Sequence, residues 1–313
     1  MNDSFSIERL LQGDRRTVAR AISSIENGEK SSEEILSAIY RCTGKAYRIG
    51  ITGPPGAGKS TLTNKLAQWY RKQNLRIGIL AVDPTSPFTG GALLGDRIRM
   101  TDVELDDGVF IRSMASRGSL GGLSKKTREA ADVLDASGAD VILLETVGVG
   151  QSELDIAGAA DTTVVVLVPE SGDGIQAMKA GLMEIADFFV LNKADRPGAE
   201  QAVMSLKMIL GFRPHDETSW LPEVLKTVGS EGKGIGEMAE AVAKHRSYLE
   251  KNGGLSARRT ERMKNRIEEI VQDQLKVEFW NDERKRKLTA SLDAVMKLRQ
   301  SPYELAQELI NSL

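Results

Sequence analysis

The residues best suited to chemistry lie in a glycine-rich segment in the first fifth of the chain. Its spacing, G-x-x-x-x-G-K-[S/T], places glycines where backbone N–H groups can turn inward around phosphate oxygens. In such a loop Lys59 reaches the β- and γ-phosphates, and the Ser60 hydroxyl binds Mg²⁺. We therefore predict a nucleotide phosphate site composed of Gly53, Pro54, Pro55, Gly56, Ala57, Gly58, Lys59, Ser60 and Thr61.

A second pattern, Asn192-Lys193-Ala194-Asp195, has the form N-K-x-D and selects the base. The Asp195 carboxylate can accept hydrogen bonds from the ring N–H and the exocyclic amino group of guanine. Adenine has no such pair of donors and would leave the carboxylate without a partner. The sequence therefore predicts GTP or GDP as the bound nucleotide, with the backbone N–H groups of Gly229 and Ser230 beside the guanine oxygen.

Acidic residues follow two of the apolar runs, and a third acid lies in a glycine-rich loop. Glu145 and Asp83 end their runs, and Asp96 lies in the loop after Asp83. Because Mg²⁺ prefers oxygen ligands, we predict that these three acids and Ser60 hold the metal. The Gly148 N–H is expected to sense the γ-phosphate. The expected catalytic group from these motifs is Lys59, Glu145 and Gly148.

The residue after Gly148 bears on the reaction rate. Ras-like enzymes use a glutamine at this point to orient the attacking water, whereas this chain has Val149. We therefore expect GTP hydrolysis with a slow intrinsic rate, which another group or a partner accelerates.

These motifs must be positioned by a sheet. Short apolar runs rich in β-branched residues recur, each followed by a loop and a helix-like stretch, and most are continuous rather than alternating. Parallel strands covered on both faces have this pattern. We predict an α/β fold with a doubly wound, mostly parallel sheet and the ligand at the carboxyl ends of its strands. The predicted strands are 47–52, 76–82, 109–112, 141–146, 162–168, 188–191 and 223–228.

Helical patterns occupy both ends of the chain. We expect an N-terminal helical extension at 1–45, a nucleotide-binding domain at 46–250 and a C-terminal helical arm at 251–313. The arm's helices each have an apolar face, which packs either on its own core or against a second subunit. We favour a homodimer.

Composition excludes several other classes. The 313 residues include 42 Lys and Arg against 44 Asp and Glu, so a net charge of −2 gives no attraction to nucleic acid or to an anionic membrane. A single cysteine, Cys42, excludes an intrachain disulfide. Without a long apolar stretch or a basic-then-apolar leader, the chain is predicted to be soluble and cytoplasmic.

Longer strings make the pattern more specific. They are Leu11-Gln12-Gly13-Asp14-Arg15-Arg16, Val82-Asp83-Pro84-Thr85-Ser86-Pro87, the stretch 89–100, Ser116-Arg117-Gly118-Ser119-Leu120-Gly121-Gly122 and the stretch 145–153. With the two nucleotide motifs, they resemble the MeaB/ArgK family of P-loop GTPases. These GTPases are chaperones of adenosylcobalamin-dependent acyl-CoA mutases such as methylmalonyl-CoA mutase. The resemblance covers nearly the whole chain.

The resemblance implies a P-loop NTPase fold and a G protein that assembles with such a mutase, protects it and gates its cofactor loading. By similarity, Ser60, Asp83, Asp96 and Glu145 form the Mg²⁺ sphere. Three switch segments correspond to 84–100, 147–158 and 172–179, and Lys179 in the third corresponds to a lysine that couples activation to the partner. The family also implies a dimer formed through the C-terminal arm.

Two alternatives remain at this point. A metal-delivery GTPase would need clustered soft or imidazole ligands, but His215, His245 and Cys42 are far apart in the sequence. A nucleotide-dependent kinase linked to transport, a role once attached to the ArgK name, should accept ATP, whereas Asp195 predicts a preference for guanine.

Overall fold

The computed structural model describes residues 5–83, 103, 105–115, 125–146, 148, 152–171, 180–212, 215–216 and 219–311. The chain divides into two compact units, Met1–Ser256 and Ala257–Leu313.

The first unit contains a seven-stranded sheet in which every pairing is parallel, in the order β3-β2-β4-β1-β5-β6-β7. The predicted α/β, doubly wound fold is confirmed. The residues of β1, β4, β5 and β6 are all buried, which explains their continuous apolar runs. The strands are β1 Tyr47–Thr52, β2 Ile77–Asp83, β3 Val109–Ala115, β4 Val141–Glu145, β5 Thr162–Leu167, β6 Phe188–Leu191 and β7 Val224–Lys226.

Helices cover both faces of this sheet. They are α1 Ile7–Leu11, α2 Arg15–Asn27, α3 Ser31–Ile39, α4 Lys59–Arg71, α5 Lys125–Ala136, α6 Ser152–Asp155, α7 Ala180–Ile185, α8 Ala199–Gly211 and α9 Ile235–Lys251. Short 3₁₀ turns occur at Tyr40–Cys42, Ile156–Gly158 and Pro169–Ser171. None of the described helices combines the length and apolar character that crossing a bilayer requires.

Alternate residues of each strand enter different cores. In β4, Leu143 packs with α4 and α9, whereas Leu144 packs with α2, α3 and α5. The N-terminal helices therefore belong to the core of the first unit, and Leu10, Ile22 and Ile25 are completely buried there. Asp14 caps α2 by accepting a 2.9 Å hydrogen bond from the Thr17 N–H.

The C-terminal helices are α10 Gly254–Phe279, α11 Asp282–Met296 and α12 Pro302–Asn311, so the predicted helical tail is confirmed. Within the second unit Leu305 and Leu309 are buried. In contrast, α10 contains no buried residue, and the apolar side chains of Ile267, Val271 and Leu275 on it are exposed.

The amino edge of the sheet carries an ion network around Arg48. The Arg48 Nη2 atom lies 2.7 Å from Asp132 Oδ1 and 3.5 Å from Asp135 Oδ2, and all three side chains are nearly inaccessible to solvent. Asp135 also accepts three backbone N–H bonds from residues 44–46, and Asp161 accepts the Arg48 N–H at 3.0 Å. These charges are compensated within the protein.

A second polar chain at the same edge joins the sheet to α9. The Tyr47 hydroxyl lies 2.6 Å from Thr162 Oγ1, which lies 2.8 Å from His245 Nδ1. His245 Nε2 lies 3.2 Å from Asp187 Oδ1, and the Trp220 indole donates to the Asp187 carbonyl oxygen at 2.5 Å. Burial, only partly offset by the Thr162 hydrogen bond, raises the pKa of Tyr47 to about 12.

Candidate functional site

The glycine-rich loop joins the carboxyl end of β1 to the first turn of α4. Gly53 has a φ of 131°, and a Cβ there would overlap the carbonyl oxygen of Val166 on β5. Gly58 has a φ of 89°, and a Cβ there would overlap the Asn192 amide. Only glycine fits these two positions, so the loop conformation depends on them. Of the residues between them, Ala57 is fully buried, whereas Pro55 and Gly56 are exposed at the tip.

Lys59 lies beneath this loop. Its Nζ donates to the carbonyl oxygens of Gly53 at 2.8 Å and Pro54 at 3.1 Å, and the residue is 6% exposed. Gly148 lies against the same atoms, because a Cβ at Gly148 would come within 2.5 Å of Lys59 Nζ. The fold therefore brings together the predicted catalytic residues Lys59 and Gly148, which are 89 positions apart in the sequence.

Glu145 ends β4 beside the same loop. Its Oε1 accepts a 2.5 Å hydrogen bond from Ser60 Oγ, and both residues are buried. Ala81 of β2 is the register partner of Glu145, so Asp83 lies at the same carboxyl edge, two residues further along its strand. A buried carboxylate and a hydroxyl oxygen in contact form a donor set that fits a hard divalent cation such as Mg²⁺.

The remaining predicted ligand, Asp96, and the predicted partner-coupling residue, Lys179, lie outside the described residues, as does Val149. Within the described ranges, no group of three or more His, Cys, Asp or Glu side chains is arranged to hold a metal. His245 there is buried at the amino edge, with Nδ1 in a hydrogen bond to Thr162 and Nε2 3.2 Å from Asp187 Oδ1. A soft-metal cargo site therefore has no support in the part of the chain that the structure describes.

The N-K-x-D segment follows β6 and contacts the phosphate loop directly. Asn192 Nδ2 donates to the Ala57 carbonyl oxygen at 2.7 Å, and Lys193 Nζ donates to the Gly56 carbonyl oxygen at 2.8 Å. Asn192 Oδ1 accepts from Thr227 Oγ1 and from the Gly229 N–H, both at 3.0 Å. One buried amide therefore connects the loops that follow β1, β6 and β7.

Asp195 is exposed at this edge, and no hydrogen bond to its carboxylate is made by another described residue. It is therefore available to a ligand. Ser230 is also exposed, and Thr61 is half-buried beside Gly229. The Gly229 N–H, which the sequence predicts to lie beside the guanine oxygen, donates to Asn192 Oδ1 in this structure.

Sequence reasoning missed two supporting groups of the site. Thr227 holds Asn192 from the end of β7, and Thr146 Oγ1 donates to Thr52 Oγ1 at 2.9 Å between the ends of β4 and β1. Both are hydroxyl residues near the carboxyl ends of the predicted strands 141–146 and 223–228, and this position could have identified them. Their partners depend on strand order, which no local pattern contains.

Comparison with known proteins agrees with this geometry. Residues 18–284 match the family model described as methylmalonyl Co-A mutase-associated GTPase MeaB. A candidate GTPase of Pyrococcus abyssi is 55% identical over 267 residues, covering 85% of this chain and 82% of that protein. The mouse protein named methylmalonic aciduria type A homolog, mitochondrial, is 34% identical over 293 residues, covering 87% of this chain and 67% of that protein.

One solved structure is similar over nearly the full length. The crystal structure of the LAO/AO transport system kinase superposes with a TM-score of 0.74 at 29% sequence identity and covers 97% of this chain and 95% of its own.

Proposed function

We propose a function on the premise that the chain belongs to the MeaB family of GTPases. In this proposal the chain binds GTP with Mg²⁺ and hydrolyses it slowly to GDP and phosphate. It acts as the G-protein chaperone of an adenosylcobalamin-dependent acyl-CoA mutase. The nucleotide would bind along the carboxyl edge of the sheet, with its phosphates in the loop 53–61 and guanine at Asp195. The observation that carries this proposal is the pair of hydrogen bonds by which Asn192, in the N-K-x-D segment, contacts Ala57 of the phosphate loop and Gly229 of the loop after β7.

In the proposed reaction a water oxygen attacks the γ-phosphorus, the bond to the β–γ bridging oxygen breaks, and the electron pair leaves with GDP. Lys59 and the Gly148 N–H stabilise the negative charge that develops on the phosphate oxygens. Ser60, Glu145, Asp83 and Asp96 would hold Mg²⁺, which neutralises phosphate charge when bound. With Val149 in place of a water-orienting glutamine, the intrinsic rate is expected to be low.

The partner follows from the family's description and from the name of the mouse relative, which link those proteins to methylmalonyl-CoA mutase and methylmalonic aciduria. We extend this link to the present chain. Its nucleotide state would gate cofactor loading and protect the mutase, with the segment 172–179 and Lys179 responding to the partner. A cytoplasmic homodimer formed through the arm at 251–313 completes the proposal, and the exposed apolar side chains of α10 support that role for the arm.

Substitution of the base-reading carboxylate tests the nucleotide assignment. Asp195→Asn is expected to weaken GDP binding by about 10- to 100-fold, because the amide oxygen can accept only one of the two guanine hydrogen bonds and the amide NH₂ opposes the exocyclic amino group. The same variant should gain affinity for xanthosine diphosphate, whose C2 carbonyl accepts from the new amide. Titration of fluorescent nucleotides with Mg²⁺ measures both changes.

Asp107→Asn, an exposed aspartate at the opposite edge, is the matched control and should bind GDP like the parent. A parent protein without affinity for GDP, or with a preference for ATP, would refute the proposed function.

The partner is tested with a purified adenosylcobalamin-dependent acyl-CoA mutase from the same genome. We expect co-elution on gel filtration with a non-hydrolysable GTP analogue and faster GTP hydrolysis in the mixture. If neither occurs with any such mutase, the chaperone assignment is wrong while the GTPase assignment stands.

A further inference from the structure

Two charged side chains next to the candidate guanine site pair with each other. Glu170 lies in the 3₁₀ turn that follows β5, and Arg196 lies directly after Asp195 in the loop that follows β6. The Arg196 guanidinium donates to the Glu170 carboxylate, and the two side chains are 47% and 51% exposed respectively. Neither residue belongs to a motif used for nucleotide binding.

The backbone brings these residues to the same place. β5 and β6 are neighbouring parallel strands, and the Asn192 N–H continues their pairing by donating to the Leu167 carbonyl oxygen at 2.8 Å. The Arg196 N–H then donates to the Lys193 carbonyl oxygen at 3.0 Å, which closes a turn with Asp195 inside it. Arg196 therefore has two carboxylates nearby, Glu170 across the strands and Asp195 in its own turn.

These two carboxylates have different consequences for a ligand. A guanidinium paired with Asp195 would occupy the oxygen atoms that guanine needs, and binding would then require breaking an ion pair. In the structure the Arg196 guanidinium donates to the Glu170 carboxylate, and Asp195 is exposed. Glu170 raises the pKa of Arg196 through its hydrogen bond and its charge, and the charge of Asp195 contributes less.

We propose, on the premise that guanine nucleotide is the ligand, that Glu170 holds Arg196 away from Asp195 and so keeps the Asp195 carboxylate available to the base. Glu170 is then a positioning residue for base specificity that does not itself touch the nucleotide. Without it, Arg196 turns to Asp195 in its own turn and competes with guanine for the same oxygens.

The test compares GDP with inosine diphosphate, which lacks the exocyclic amino group that donates to Asp195. The ratio of the two dissociation constants, inosine diphosphate over GDP, measures how well Asp195 reads the base. Glu170→Ala is expected to lower this ratio about fivefold, the size of an exposed ion pair. Glu170→Gln should lower it less, because the amide oxygen still accepts from Arg196.

The double variant separates positioning from a general loop effect. Arg196→Ala alone should keep the parent ratio, since no guanidinium remains to compete, and Glu170→Ala combined with Arg196→Ala should return to it. The inference would be overturned if the ratio is unchanged in Glu170→Ala, or if the ratio in the double variant is as low as in Glu170→Ala. If the parent itself fails to bind GDP with Mg²⁺, the proposed function fails; if the parent binds GDP normally and only this pattern is missing, the role of Glu170 alone is wrong.

Discussion

The two edges of the sheet carry polar side chains of similar kind at their strand ends, but they use them differently. At the amino edge, Arg48 is enclosed by Asp132, Asp135 and Asp161, and its charge is compensated within the protein. At the carboxyl edge, Asp195 is exposed, and Lys59 donates to the carbonyl oxygens of Gly53 and Pro54, which carry no formal charge. This difference is the reason why we propose the nucleotide and Mg²⁺ site at the carboxyl edge.

The difference shows why charged residues at strand ends are not sufficient to identify a site. Both edges contain buried ionisable groups, such as Arg48 at the amino edge and Lys59 at the carboxyl edge. Glycines with positive φ do not distinguish the edges either, because they occur at Gly44 and Gly138 beside the amino edge as well as at Gly53 and Gly58 in the phosphate loop. What differs is whether the polar atoms are already paired within the protein. Substitutions at the amino edge should therefore change stability, and substitutions at the carboxyl edge should change ligand binding and turnover.

The largest effect is expected at the amino edge. Arg48→Ala removes the guanidinium that pairs with the buried Asp132 and Asp135 and should lower the free energy of unfolding by about 3–5 kcal/mol. Denaturant unfolding measures this change. Lys45→Ala, an exposed cation three residues earlier, is the control and should stay within about 0.5 kcal/mol of the parent. A stable Arg48→Ala protein with impaired nucleotide binding would contradict the distinction between the edges.

Lys59→Ala addresses the carboxyl edge. If Lys59 stabilises the phosphates as we propose, loss of its ammonium should reduce the single-turnover rate of GTP hydrolysis by about 10²–10³-fold. The free energy of unfolding should change far less than in Arg48→Ala, because the Gly53 and Pro54 oxygens that accept from Lys59 are uncharged. Lys72→Ala, at the exposed end of the same helix, should turn over GTP like the parent. Equal turnover in both variants would show that Lys59 does not act on the phosphates.

Asn192→Ala should combine both kinds of effect. It leaves the Gly229 N–H and the Thr227 hydroxyl without their acceptor, which should cost about 1–3 kcal/mol of stability. GDP affinity should also fall, by about tenfold, because the phosphate loop loses its hydrogen bond to the N-K-x-D segment that we propose to bind guanine. Calorimetric titration and denaturant unfolding on the same preparation measure the two effects. A loss of stability without any loss of affinity would place Asn192 with the residues of the amino edge.

The smallest effect concerns Tyr47. Tyr47→Phe removes the hydrogen bond to Thr162 and should cost about 1 kcal/mol at neutral pH. Because the pKa of the buried phenol is raised from 10.0 to about 12, the unfolded chain loses this proton at lower pH than the folded protein does. The stability that the phenol contributes is therefore present below pH 10 and is lost as pH rises toward about 12.

The stability gap between the parent and Tyr47→Phe should accordingly narrow over that interval, as measured by denaturant unfolding at several pH values. Burial also raises the pKa of Tyr70, so the variant keeps part of the alkaline sensitivity. If the difference in unfolding free energy between the two proteins stays constant up to pH 12, the pKa of Tyr47 is not raised by folding.

The strands were predictable because buried parallel strands leave continuous apolar runs. The bounds predicted for β1 and β6 agree with the structure at both ends. The predicted third strand ended at Arg112, but β3 continues to Ala115, because residues 113–115 pair with Ala81, Val82 and Asp83 of β2. The predicted last strand at 223–228 is shortened to Val224–Lys226, the three residues that pair with Phe189, Val190 and Leu191 of β6.

The sequence alone determined the local chemistry of this protein: the glycine-dependent phosphate loop, the strand-end acids and the N-K-x-D segment, each of which is set by a few adjacent residues. Only the tertiary structure decided which polar atoms are already paired. It assigned the Gly229 N–H to Asn192, placed Arg196 on Glu170 and joined Asn192 to Ala57, 135 residues away. The reason is physical: a hydrogen bond between distant residues depends on strand order and loop approach, which local composition does not encode.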